Sequence, residues 1–181
     1  VKIRKLMEKI KIGVLREEKN PPDKRVPLTP LICSEITRKY PRAEVVVQPS
    51  AIRCYSDEEY SYFGIPLQEN LEDCDILMGV KEVPPEKLIP GKTYFFFSHT
   101  IKKQKHNQHL MRALIDKKIT MVDYETLTDK KNNRIIAFGR YAGIVGAYNA
   151  IRGYGLKYDL FRLKPAHECR DRAEMDQELL R

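Results

Sequence analysis

Residues 75–82 read Asp-Ile-Leu-Met-Gly-Val-Lys-Glu, a short apolar run that ends on two ionisable side chains. Residues 75–80 are bounded and apolar, which reads as a buried strand. Similar runs lie on either side of it. Upstream stand KIGVL at 11–15 and the β-branched AEVVV at 43–47; downstream stand YFFFS at 94–98 and ITMVD at 119–123, the last followed by 134–138. Helical patterns fill the gaps. Thr29-Pro30 supplies a hydroxyl cap and a first-turn proline for a helix over 31–40. Ser56-Asp57-Glu58-Glu59 has the S-x-x-E form of a capping box and opens a helix toward Phe63, which Gly64 stops. Residues 104–118 are amphipathic, with His109 or Leu110, Ala113 and Leu114 near one face. A longer helix is expected from Gly139 or Arg140 to about 160, although Gly143, Gly146, Gly153 and Gly155 weaken it. A last helix over 166–181 is charged on most sides. Short buried strands alternating with helices predict an α/β fold: a mostly parallel, Rossmann-like sheet with helices on both faces.

The chain has 181 residues, within the span of one ordinary domain. Its apolar runs, YFFF at 94–97 among them, fall far short of the roughly 20 residues a membrane helix needs. The start, VKIRKLMEKIKIG, has no secretory pattern, so the expectation is a cytoplasmic protein with no membrane association. Cys33, Cys54, Cys74 and Cys169 are widely spaced and lack a CxxC pair, so neither a disulfide framework nor a metal site is expected. The formal net charge is +8, but basic residues mostly alternate with acidic ones, as in REEKN and KEVPPEK. That interleaving argues against nucleic acid as a partner and for a small-molecule ligand.

Ligand sites in parallel sheets gather at the carboxyl ends of the strands. Those positions carry Arg16-Glu17-Glu18, Lys81-Glu82, His99-Thr100 and Tyr124-Glu125, all of them with ionisable groups. A partly desolvated lysine can fall from about 10.4 toward neutrality and act as a base, which makes Lys81 a candidate. Histidine titrates near neutral pH as a residue type and can take and return a proton, which makes His99 the second candidate. Arg16 and Arg25 suit carboxylate recognition, since guanidinium offers paired donors. Glu82 and Glu125 suit a substrate ammonium, or tune the lysine by pairing with it. The plainer alternative is a Lys81–Glu82 surface pair worth at most about 1 kcal/mol. His106, His109 and His167 read as surface or interface residues, and 95–97 as core strand. No G-x-G-x-x-G follows a strand: Gly143-Ile144-Val145-Gly146 and Gly153-Tyr154-Gly155 fall inside a helical pattern, where small residues allow close helix packing.

Five motifs occur in order: IGVLREEKNPPDKRVPLTP, GVKEVP, FFFSHTIKKQ, ITMVDYETLTD and AFGRYAGIVGAYN. Together they resemble the N-terminal domain of the alanine dehydrogenase, pyridine nucleotide transhydrogenase and saccharopine dehydrogenase superfamily, over about residues 11–155. SHTIKKQ, DYETLTD and AFGRYAGIVGA are most similar to the lysine-forming saccharopine dehydrogenases, including the lysine–2-oxoglutarate reductase half of the bifunctional plant and animal enzyme. Alanine dehydrogenase ranks second. The resemblance implies reversible oxidation of saccharopine to lysine and 2-oxoglutarate, with NAD or NADP as cofactor. It implies that Lys81 takes the amine proton and that His99 serves water addition and collapse. Arg16 and Arg25 would bind substrate carboxylates, and Glu82 and Glu125 would adjust charge around Lys81.

The resemblance also sets the expected domain plan. Residues 1–160 form the substrate domain, and 161–181 a helical lead-in to a dinucleotide-binding domain absent from the chain. Met7 reads as a natural start, with 1–6 as an extension. A lone substrate domain is expected to bind weakly and not to turn over, because hydride transfer needs a cofactor held opposite the reacting carbon. A standalone binding module stays open as a different class of protein, as does assembly into a homo-oligomer.

Overall fold

The computed structural model describes residues 9–181, so the proposed start at Met7 lies outside the described residues. Five strands form one sheet: β1 (Ile10–Val14), β2 (Ala43–Val47), β3 (Ile76–Met78), β4 (Thr93–Phe96) and β5 (Thr120–Asp123). Every pairing is parallel, in the order β2-β1-β3-β4-β5. The chain therefore starts mid-sheet, adds β2 on one side, then crosses back to add β3, β4 and β5 on the other. Between β1 and β3 the direction of winding reverses, the place where ligands settle in open parallel sheets.

Alternation along β2 divides the core in two. Val45 and Val47 join Val14, Cys33, Tyr60 and Ile65 on one face, while Val46 turns to Leu71, Cys74, Leu77, Tyr94, Phe96, Leu110 and Leu114 on the other. The first face is covered by α1 (Pro30–Lys39) and α2 (Asp57–Tyr62), the second by α3 (Gln108–Asp116). Helix α1 begins as its sequence predicts: Thr29 accepts the Ile32 N–H and Pro30 opens the first turn. Helix α2 carries the full Ser56–Glu59 capping box, and Gly64 follows it at φ +75°. Cys33 and Cys74 are core residues whose burial pushes their thiols up to about 12 and about 11.

Several expected elements are shorter than their sequence patterns, β3 among them at Ile76–Met78. Helix α3 starts at Gln108 rather than 104, preceded by single 3₁₀ turns at Thr100–Lys102 and Lys105–Asn107. His99 and Lys103 both take left-handed backbone conformations, which no helix can pass through. From 134–138 only Arg134 pairs, in an isolated antiparallel bridge to Thr128. The Asp129 carboxylate draws that loop tight by accepting the N–H groups of Lys131 and Asn133. The last helix, α5, covers only Arg172–Leu179, because Asp171 caps it by accepting the Glu174 N–H.

The chain separates into two compact units, one ending at Ile135 and the other running Ile136–Arg181. The second holds α4 (Gly139–Tyr158) and α5. Helix α4 keeps 20 residues despite its glycines. Within it only Gly155 is closely approached: a Cβ there would lie 2.7 Å from the Phe161 carbonyl. Lys164 ties this unit together, its ammonium on Glu174 (2.6 Å), its N–H on Glu178 and its carbonyl under the Tyr148 hydroxyl. Among the described residues no helix is long and apolar enough to cross a membrane.

Candidate functional site

The reversal between β1 and β3 opens a cleft of about 230 Å³, whose lining includes Arg16, Glu17, Glu18, Lys81, Glu82 and Lys87. All but Lys87, which lies in a 3₁₀ turn over Pro85–Lys87, follow strand ends. Glu17, just beyond β1, is buried, and its two carboxylate oxygens accept the backbone N–H groups of Val80 (2.6 Å) and Lys81 (2.8 Å). Desolvation raises its pKa, and the two amide donors oppose that rise. The carboxylate thus fixes where the chain leaves β3 and so where Lys81 stands. The lysine itself is half-buried, and its charge helps hold Asp23 below the usual carboxylate range, although the Arg25 hydrogen bond is the larger cause.

Both predicted guanidinium groups are engaged by carboxylates of the chain. Arg16 holds Glu69 through two nitrogens, at 2.8 and 2.6 Å, and reaches Glu18 at 3.2 Å. Arg25 holds Asp23 through Nε at 2.9 Å and Nη2 at 2.5 Å. Glu69 is 62% exposed, and ion pairs in that setting are worth about 0–1 kcal/mol. Glu82 accepts from Lys19 at 2.7 Å; burial works against its charge, yet Lys19 and the nearby His99 keep its pKa below normal.

A second cluster stands at the ends of β4 and β5. Nδ1 of His99 lies 3.2 Å from Glu125 Oε2 and 3.3 Å from Lys102 Nζ. The imidazole is roughly parallel to the Phe97 ring, with centroids 6.4 Å apart. Only 2% of the Glu125 side chain is exposed, and its other oxygen meets Lys102 (3.2 Å) and Arg134 (3.3 Å). Burial opposes its ionisation, but Lys102 and His99 hold it below the usual range. An imidazole with one nitrogen against a carboxylate keeps the other for proton exchange. The structure therefore groups Lys81 and Glu82 with Arg16 on one side and His99 with Glu125 on the other, with Glu82 electrostatically in reach of His99. His106 and His109 are exposed, and Phe96 is fully buried.

Sequence reasoning passed over Lys19, Lys102, Arg134, Asp123 and Ser98. Lys102 had one signal, its place three residues after His99. Arg134 had none, because the loop that returns it to Glu125 is closed by Asp129 and is not a repeating pattern.

Among the described residues the cleft has no glycine-lined loop of bare amides on which to seat a pyrophosphate. The position after β1 where a dinucleotide fold presents glycines and bare amides is taken here by Glu17 and Glu18, with Glu69 and Glu82 also in the lining.

A doubly wound domain with its ionisable groups at the switch point, and no phosphate cradle, is the class these features define. Residues 13–145 match the family model described as alanine dehydrogenase/PNT, N-terminal domain, and the chain belongs to that family of amino-acid dehydrogenase domains. It is 40% identical over 154 residues to the mitochondrial alpha-aminoadipic semialdehyde synthase of Bos taurus, covering 85% of this chain and 16% of that protein. It is 31% identical over 147 residues to the saccharopine dehydrogenase [NAD(+), L-lysine-forming] of Emericella nidulans, covering 77% of this chain and 38% of the relative. A solved L-alanine dehydrogenase has the same fold, with a TM-score of 0.55 at 23% identity over 68% of this chain and 35% of its own. The transhydrogenase of Sinorhizobium meliloti also scores 0.55, at 14% identity, covering 82% of this chain and 43% of that one. The chain thus spans well under half the length of each of these relatives.

Proposed function

We propose that this chain is the substrate-binding and acid–base part of a nicotinamide-dependent amino-acid dehydrogenase acting on saccharopine, formed from or released to lysine and 2-oxoglutarate. The observation that carries this reading is the pairing of His99 with buried Glu125, across the strand ends from Lys81 and Glu82. The Emericella relative, named as an L-lysine-forming saccharopine dehydrogenase, supports the substrate. NAD or NADP is held mainly by a part of the enzyme outside these residues, a reading supported by the carboxylates that stand where a dinucleotide fold has its glycines.

In the proposed reaction a nicotinamide supplies the two-electron oxidation of the secondary amine. The residues of this chain move protons and hold charge. Lys81 accepts the proton of the substrate amine. His99 takes a proton from the water that adds to the imine carbon and returns one to the departing lysine nitrogen, with Glu125 steadying the imidazolium in between. Arg16 and Arg25 exchange their internal carboxylates for those of the substrate. The interleaved acid–base pairs on the surface favour such a small ligand over a nucleic acid. A cytoplasmic compartment is the expectation from the sequence, whereas the bovine relative is named as mitochondrial.

The test is an assay of the full-length enzyme. NAD(P)H consumption with lysine plus 2-oxoglutarate is expected, and Lys81→Met is expected to lower kcat by about 10²–10⁴ while leaving the fold intact. Turnover with pyruvate plus ammonium alone would reassign the domain to alanine dehydrogenase. Absence of turnover with either pair would leave a binding module.

A further inference from the structure

Asp123 is the last residue of β5, opposite Phe96 in the parallel register, and it is almost completely buried. Among the described residues no cation forms a salt bridge with it. Each of its oxygens instead takes one neutral donor. Oδ2 accepts the Ser98 hydroxyl in a very short hydrogen bond, and Oδ1 accepts the backbone N–H of Glu125 at 2.8 Å.

Ser98 is fully buried and extends the connection. Its Oγ accepts the Thr100 N–H at 3.2 Å and lies 2.8 Å from the Thr100 hydroxyl. Thr100 is thus tied back to the Ser98 hydroxyl that Asp123 holds, and the residue between them is His99, at φ 54°. A left-handed backbone at a non-glycine residue persists only where its surroundings over-determine it. Here they do: Asn107 also donates to the His99 carbonyl at 3.3 Å.

We infer that Asp123 and Ser98 are positioning residues that set the His99–Glu125 pair in register, one carboxylate oxygen governing the His99 turn and the other the Glu125 backbone. This role rests on the reading of His99 as the acid–base group. Both oxygens of this carboxylate are committed to neutral donors of the chain. What it supplies is a common origin for both members of a pair 26 residues apart in sequence.

The deciding measurement reports on the imidazole directly. In the 181-residue chain, ¹⁵N signals of neutral His99 should show the Nδ1–H tautomer, because the buried Glu125 carboxylate (3.2 Å) outweighs the Lys102 ammonium (3.3 Å), which faces water and pairs with the other Glu125 oxygen. Glu125→Gln gives the reference for loss of that preference. Ser98→Ala and Asp123→Asn are expected to shift the tautomer toward Nε2–H as far as Glu125→Gln does, without loss of the circular dichroism of the fold. In the full-length enzyme the same two variants should lower kcat by about tenfold to a hundredfold with KM within about twofold. A wild-type tautomer in a folded Ser98→Ala or Asp123→Asn chain overturns the inference. Loss of fold in both makes the pair a stability element and overturns it as well. Full activity of His99→Asn sinks the acid–base reading instead, and the tautomer result still decides whether the pair positions the ring.

Discussion

Glu125 and Glu17 are both carboxylates withdrawn from water, and they respond to pH in opposite directions. Glu125 is surrounded by Lys102, His99 and Arg134, so its folded pKa lies below the ordinary 4.5. It therefore contributes stability above pH 4.5 that disappears as pH falls through the depressed folded value. Glu17 is raised by burial, so its contribution is present below 4.5 and fades as pH rises through the elevated value. Urea denaturation of Glu125→Gln should show a loss of about 1–3 kcal/mol at pH 7, because cations are left without their buried partner. Between pH 5 and pH 3 the wild-type midpoint should fall by more than that of the variant; parallel falls would mean that Glu125 is not held ionised by its neighbours. His99 and Lys81 were legible as candidates because each follows a strand, and strand ends point at ligands. The carboxylates that hold them were not. Asp123 reads simply as the last letter of ITMVD, and its function comes from Ser98, 25 residues away.

At the scale of elements, β1 shows why a glycine stands in an otherwise β-branched strand. Gly13 faces the second core, where a Cβ would lie 2.9 Å from Leu77 Cδ2 and 3.0 Å from Cys74 Sγ and Leu71 Cδ1. All three neighbours are fully or nearly fully buried, so they cannot swing away. Gly13→Ala should destabilise by about 1–3 kcal/mol, read as a lower thermal midpoint. An unchanged midpoint would mean that this face yields more readily than its packing suggests. The strands and the two capped helices α1 and α2 were readable from the sequence, since caps and two-residue periodicity are properties of neighbouring residues. The start of α3 was not readable. An amphipathic pattern runs from 104, but Lys103 leaves a left-handed turn before it, and no pattern of polarity encodes that dihedral.

For the whole molecule, the strand order puts β1, β3 and β4 in the interior of the sheet and leaves β2 and β5 at its edges. Interior amides open only when the sheet does, so hydrogen exchange should be slowest at β1, β3 and β4. Equal or slower exchange along β2 would contradict this order. The alternation of apolar runs and capped helices determined, by itself, a parallel α/β sheet with polar strand ends. Such patterns depend on hydrogen bonds and side-chain directions within a few residues of chain, and the sequence displays them openly. Only the tertiary structure decided which strand ends meet: Arg16 with Glu69, 53 residues on, Glu17 with Lys81, 64 on, and His99 with Glu125. Those pairings follow from the reversal of winding between β1 and β3 and from buried carboxylates seeking donors. Both are set by how distant segments pack, because a desolvated charge is satisfied by whichever donor the fold brings to it.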